Sequence, residues 1–145
     1  MKTHHQFYIN GEWVDPTEGV NSFDVINPSN EEVIAQIALG TPADVDKAVA
    51  AAQAAFDSFS QTSVEERLAL LGKIVEIYQS RYDEVAETIS QEMGAPLSLS
   101  KAAQAATGLG HFAQAIEILQ GFEWEETKGK TVIRKEPIGV VGMIT

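Results

Sequence analysis

Along the chain, the spacing of apolar residues changes from strand-like to helical and back. Phe7 to Val14 is aromatic and β-branched on both sides of Asn10-Gly11. That pair is the strongest short signal for a tight hairpin, because both residues tolerate positive φ. Asp15, Pro16 and Gly19 then interrupt the pattern. Apolar residues next alternate at Phe23 and Val25, and again at Val33, Ala35 and Ile37. This predicts a second strand pair, Ser22 to Ile26 and Val33 to Ala38, turning at Asn27-Pro28-Ser29-Asn30 as a half-buried ladder.

The period then lengthens. Thr41-Pro42-Ala43-Asp44 supplies a cap, a proline at the first helical position and a capping-box acid. Val45, Val49, Ala52, Phe56 and Phe59 follow at helical spacing. Ser63-Val64-Glu65-Glu66 is a second capping box, opening a helix with Leu68, Leu71, Ile74, Val75 and Tyr78 on one face. A third helix carries Val85, Ala86, Ile89 and Met93, and Gly94 with Pro96 ends it. From Ser98 to about Gln120 the chain is helical and alanine-rich, with Gly108 and Gly110 inside it. Each glycine costs roughly 1 kcal/mol there relative to alanine. Their presence favours close packing against a neighbour, the other reading being a gap left for another group.

Lys128-Gly129-Lys130 reads as a turn, and Thr131 to Glu136 as an alternating strand stopped by Pro137. Ile138 to Thr145 is nearly all apolar and β-branched, the pattern of a strand buried on both faces of a parallel sheet. Such a strand needs neighbours on both sides, so the chain reads as part of something larger. No repeat or low-complexity segment occurs.

Composition narrows the chemistry. The 145 residues suffice for one domain with a core, and the formal net charge is -11. That charge repels polyanions, which argues against nucleic acid and anionic membranes as partners. The absence of cysteine excludes disulfides, thiolate metal sites and a thiol nucleophile within these residues. No apolar run suits a signal or a membrane span, so cytoplasm is the expected compartment. His4 and His5 read as a loose terminus, and His111 completes no ligand spacing.

Several segments together carry a resemblance. They are Tyr8-Ile9-Asn10-Gly11-Glu12-Trp13, then Val25-Ile26-Asn27-Pro28-Ser29-Asn30-Glu31-Glu32-Val33-Ile34, then Asp44-Val45-Asp46-Lys47-Ala48-Val49 with Ala51 to Phe56. Glu65 and Arg67 follow, then Glu92-Met93-Gly94-Ala95-Pro96 and Arg134-Lys135-Glu136-Pro137-Ile138-Gly139-Val140-Val141-Gly142. In this order, along nearly the whole chain, they resemble the aldehyde dehydrogenase superfamily.

The resemblance implies an α/β fold of which this is the N-terminal part of the cofactor-binding domain. It would hold β-hairpins, four main helices, an oligomerisation-type strand at 131–137 and the first parallel strand of the cofactor sheet at 138–145. It further implies an oxidoreductase that converts an aldehyde to a carboxylic acid with NAD or NADP. The chemistry is attack by a cysteine, hydride transfer and glutamate-assisted hydrolysis. Those catalytic residues are expected beyond Thr145, so these residues alone are expected to be inactive.

Other positions acquire roles on the same resemblance. Ile144 and Thr145 match the strand end beside the adenosine side of the cofactor. The carbonyls of Val25 and Ile26, with Glu92, match ligands of a monovalent cation, Na or K; otherwise Glu92 caps or pairs locally. Ala103 and Thr107 match the wall of the aldehyde access tunnel, unless that face simply packs. The implied assembly is a homodimer or homotetramer. Ala95 stands where lysine is frequent in the family, and the alanine-rich helix lacks an aromatic pair seen in several members, so the aldehyde stays open. Two other readings compete: a non-catalytic, self-associating module, and an unrelated enzyme using carboxylates alone, for which no spacing singles out a pair.

Overall fold

A computed structural model describes residues 2–144. Strand β1 spans Lys2–His4, β2 Phe7–Ile9, β3 Glu12–Val14, β4 Ser22–Asn27 and β5 Glu32–Ala38. Helices α1 (Pro42–Phe59), α2 (Val64–Ser80) and α3 (Tyr82–Met93) follow. A short turn α4 (Leu97–Leu99), a wide π-type turn (Ser100–Gln104) and α5 (Ala105–Gln120) form one continuous rod. Strands β6 (Glu125–Lys128) and β7 (Thr131–Arg134) close the ordered elements.

The local signals act as the sequence predicts. Asn10 (φ 54°) and Gly11 (φ 81°) form the left-handed turn that joins β2 to β3, with Tyr8 paired to Trp13. β4 and β5 pair antiparallel, Phe23 opposite Ile37 and Val25 opposite Ala35. Both capping boxes form. At α2, Ser63 Oγ accepts from the Glu66 N–H at 3.1 Å, and Glu66 Oε2 accepts from the Ser63 N–H at 2.7 Å. Gly94 ends α3 with φ 70°, its N–H donating to Ser90 O.

Several features depart from the pattern. The N-terminus is not loose: β1 runs parallel to β5, with Thr3 opposite Gln36. That strand is paired through its backbone, and its polar side chains give no periodic signal. β6, Glu-Glu-Thr-Lys, likewise gives no strand pattern; it pairs with β7, Thr127 opposite Val132, and an Arg134–Glu125 ion pair at 2.6 Å crosses the two strands. β7 ends at Arg134, short of Glu136. Most consequentially, the apolar run 138–144 joins no ladder, and Ile138 is 93% exposed and Ile144 97%. A strand whose partners lie outside these residues has nothing to bond to, so its composition alone cannot make it a strand.

The packed centre lies where α3, the π turn and α5 meet. Ala86, Ser100 and Ala105 are fully buried there, and α2 lies along α5. Elsewhere the burial is thin. The accessible surface is 10751 Å², against roughly 7300 Å² for a folded monomer of this mass. Much of the apolar face of α1 stays open, including Val45, Val49 and Phe59. Among the described residues, no helix is long and apolar enough to cross a membrane.

Candidate functional site

The face of α5 that carries Ala103 and Thr107 is built by the wide turn before it. The Ala105 N–H donates to the Ser100 carbonyl, five residues back rather than four. Side chains from the neighbouring helices brace this turn. Tyr78 Oη, from α2, donates to Ala105 O at 2.9 Å, and Tyr82 Oη, from α3, donates to Lys101 O at 2.5 Å. Inside the turn the buried Ser100 Oγ donates to Gln104 Oε1 at 2.8 Å. The two tyrosine rings meet edge to face, 6.4 Å apart.

Gly108 makes this approach possible. A Cβ at that position would lie 2.6 Å from Tyr78 Oη and 3.2 Å from Cζ. The close-packing reading therefore holds for Gly108. Nothing lies within 4 Å of a Cβ at Gly110, which faces open space. On the exposed side, Thr107 Oγ1 donates to Ala103 O at 2.9 Å, so the two predicted residues do share a face. An open groove continues from Thr107 past Gly110, His111 and Gln114 to Glu117.

The residues matched to a cation site are placed differently. The β4–β5 register shifts between Val25 and Ile26. The extra, unpaired residue there is Ile34 of β5, while Val25 and Ile26 keep their partners Ala35 and Val33. Glu92 is exposed near the C-terminus of α3, a helix that packs against β4. Gly94, two residues on, brings this end close to the turn after β4: a Cβ there would lie 3.2 Å from Ser29 N. Among the described residues, no group of three or more His, Cys, Asp or Glu side chains gathers as for a metal ion.

Ile144 is almost fully exposed, and Thr145 lies outside the described residues.

Asp44 does more than its capping motif indicates. It is buried, and its carboxylate accepts from the Thr41 N–H and hydroxyl, both at 2.9 Å, and from the Thr17 N–H and hydroxyl, both at 2.7 Å. The Thr17 hydroxyl, then the Thr41 and Thr17 amides, hold it well below the usual carboxylate range, against the opposing effect of burial. Asp44 thus ties the loop after β3 to the start of α1. Sequence reasoning missed the Thr17 half of this clasp and the roles of both tyrosines. Their partners lie 19 to 27 residues away, beyond any local motif.

Comparison with known proteins places this arrangement. The aldehyde dehydrogenase family profile matches residues 13–145. A Staphylococcus aureus protein assigned as an aldehyde dehydrogenase is 48% identical over 145 residues, covering 100% of this chain and 30% of its own length. A 3-succinoylsemialdehyde-pyridine dehydrogenase from a Pseudomonas species is 46% identical, with the same coverage. Among solved structures, a mutant aldehyde dehydrogenase C from Pseudomonas syringae, complexed with NAD+ and octanal, superposes with a TM-score of 0.89 at 42% identity. That match covers 92% of this chain and 27% of that one. An aldehyde dehydrogenase from Bartonella henselae gives 0.86 at 43% identity, over 90% and 27%. The chain spans about 30% of the length of the curated relatives it matches, aligned over its whole extent, and it belongs to the aldehyde dehydrogenase family.

Proposed function

We propose that the protein carrying this chain oxidises an aldehyde to a carboxylic acid with NAD or NADP, and that these residues supply its N-terminal scaffold. One observation carries the reading: the chain aligns throughout with aldehyde dehydrogenase relatives, while containing no cysteine of its own. In this chemistry a thiolate adds to the aldehyde carbon, and a carboxylate-activated water later releases the acid. Bound nicotinamide supplies the hydride acceptor. None of the 145 residues supplies the thiolate.

What these residues contribute is position. Ala103 and Thr107 line the approach of the aldehyde, a role supported by their shared exposed face and small size. The Val25 and Ile26 carbonyls and Glu92 hold a monovalent cation, Na or K. The packing of α3 on β4 supports this, and oxygen donors suit a hard cation. Ile144 and Thr145 border the cofactor once 138–145 has strand neighbours. Residues 131–137, with β7 paired on one side only, serve assembly as a homodimer or homotetramer.

The test is to follow reduced nicotinamide formation with a panel of aldehydes, comparing the 145-residue chain with a full-length enzyme carrying it. Turnover by the longer protein alone supports the reading. Turnover by the 145 residues alone would overturn it. The non-catalytic module remains the second reading, favoured by the exposed Val132, Ile133 and Ile138. It gains if the longer protein is inactive with every aldehyde while the chain self-associates.

A further inference from the structure

The β6–β7 hairpin leaves the helical body after Gly121 and is exposed along both strands. From Gly121 to Pro137, Trp124 is the one residue that is not exposed. Whatever sets the direction of the hairpin therefore acts at Trp124. Over its ring stands Arg67 of α2, with Cζ 5.7 Å from the ring centroid. Arg67 is half-buried and is itself fixed. Its Nε donates to Thr62 Oγ1 at 2.9 Å and its Nη2 to Ser60 O at 3.2 Å. A guanidinium held in this way keeps its charge over the ring, where the quadrupole attracts it.

The stack continues from Trp124. Its ring meets Phe122 edge to face at 4.6 Å, and Lys135 Nζ stands 4.7 Å from the Phe122 centroid. Lys135 follows β7; its N–H donates to Trp124 O at 2.9 Å and its Nζ to Glu123 O at 2.8 Å. Cation, ring, ring and cation thus join both ends of the hairpin to the start of α2. Trp124 Nε1 is enclosed without a hydrogen-bond partner, so ring contacts hold this side chain.

The hairpin is a lever about that base. From Trp124 to Gly129 it extends roughly 16 Å, at about 3.3 Å per residue. A swing of about 20° at the base moves the tip by roughly 6 Å, more than the ~4.8 Å between paired strands. Strand pairing with another chain does not survive such an error.

We propose that Arg67 and Trp124 are positioning residues for assembly: by clamping the base of the hairpin to α2, they aim the open edge of β7 at a strand edge of a second copy. This rests on the reading that residues 131–137 serve assembly.

The experiment uses a full-length enzyme carrying this chain as its N-terminal part. Sedimentation velocity over a dilution series gives the dissociation constant of the oligomer, at a temperature where circular dichroism shows every variant folded. Trp124→Leu and Arg67→Gln are each expected to raise that constant at least fivefold, and the double variant little further, because both break one contact. Trp124→Phe keeps a ring under the guanidinium and is expected to stay within twofold of the parent. A purely structural role would lower the melting temperature without moving the constant. Val132→Asp/Ile133→Asp, on exposed β7, tests the underlying reading. If it dissociates the oligomer while Trp124→Leu and Arg67→Gln do not, or if Trp124→Phe loses as much as Trp124→Leu, the proposal is overturned and the reading stands. If the β7 variant leaves the oligomer intact, or the parent is a monomer, the assembly reading is itself wrong and the proposal falls with it. Should Trp124→Leu not fold, Arg67→Gln is judged by the same constant.

Discussion

Gly108 and Gly110 sit two positions apart in α5, and replacing each by alanine should have opposite effects. Neither has positive φ, so the backbone admits alanine at both. Alanine is favoured over glycine by about 1 kcal/mol in a helix interior. At Gly110 nothing lies within 4 Å of the added Cβ, so Gly110→Ala should stabilise by about that amount. At Gly108 the Cβ would lie 2.6 Å from Tyr78 Oη, 3.2 Å from Cζ and 3.4 Å from Cε2. The ring must move, losing a hydrogen bond to Ala105 O of about 1 kcal/mol. Overpacking adds about 1–3 kcal/mol. Set against the propensity gain, Gly108→Ala should destabilise by about 1–3 kcal/mol.

Urea unfolding reads the difference directly. With a slope of about 1–3 kcal/mol/M, the two midpoints should move in opposite directions by roughly 0.3 M or more. The clash centres on the hydroxyl, so Gly108→Ala should cost much less in a Tyr78→Phe background, giving a non-additive cycle. Equal stabilisation by both alanines, or an additive cycle, would refute the packing described for Tyr78.

Two further outcomes follow from the surface and the clasp. Because the folded pKa of Asp44 is depressed, its contribution is present above the unfolded carboxylate pKa and is lost as pH falls through the folded value. Asp44→Asn should therefore lower stability at neutral pH and flatten the acid side of a stability-versus-pH curve, and an unchanged acid limb would show that the Thr17–Asp44 clasp does not form. The accessible surface exceeds that of an ordinary monomer by roughly twice the area of a standard protein interface. Light scattering should accordingly find the 145-residue chain self-associated and binding a hydrophobic dye, whereas a compact, dye-negative monomer would contradict the exposure of Ile138, Val141 and Met143.

Much of the architecture was legible because it is local. Asn10-Gly11, the boxes Thr41–Asp44 and Ser63–Glu66, and Gly94 at a helix end each act within a few residues. Their hydrogen bonds form as the motifs require. The family resemblance was legible for the same reason: it is carried by short segments in order. Of the candidate site, the shared face of Ala103 and Thr107 follows from helical spacing. The relation of Val25 and Ile26 to Glu92 does not, since it depends on how α3 packs against β4.

The sequence by itself therefore determined the two hairpins, the main helices, the caps and turns, the acidic and cysteine-free character, and the family. Tertiary structure decided the rest. It made strands of Lys2–His4 and Glu125–Lys128, whose side chains carry no strand pattern, because a backbone ladder needs only a partner. It left Ile138–Ile144 outside any sheet, despite a strong strand composition, because none is at hand. It also widened the turn at Ser100–Gln104 and set two distant tyrosine hydroxyls on it. Propensity belongs to the segment, but pairing, register and side-chain reach belong to what the segment meets.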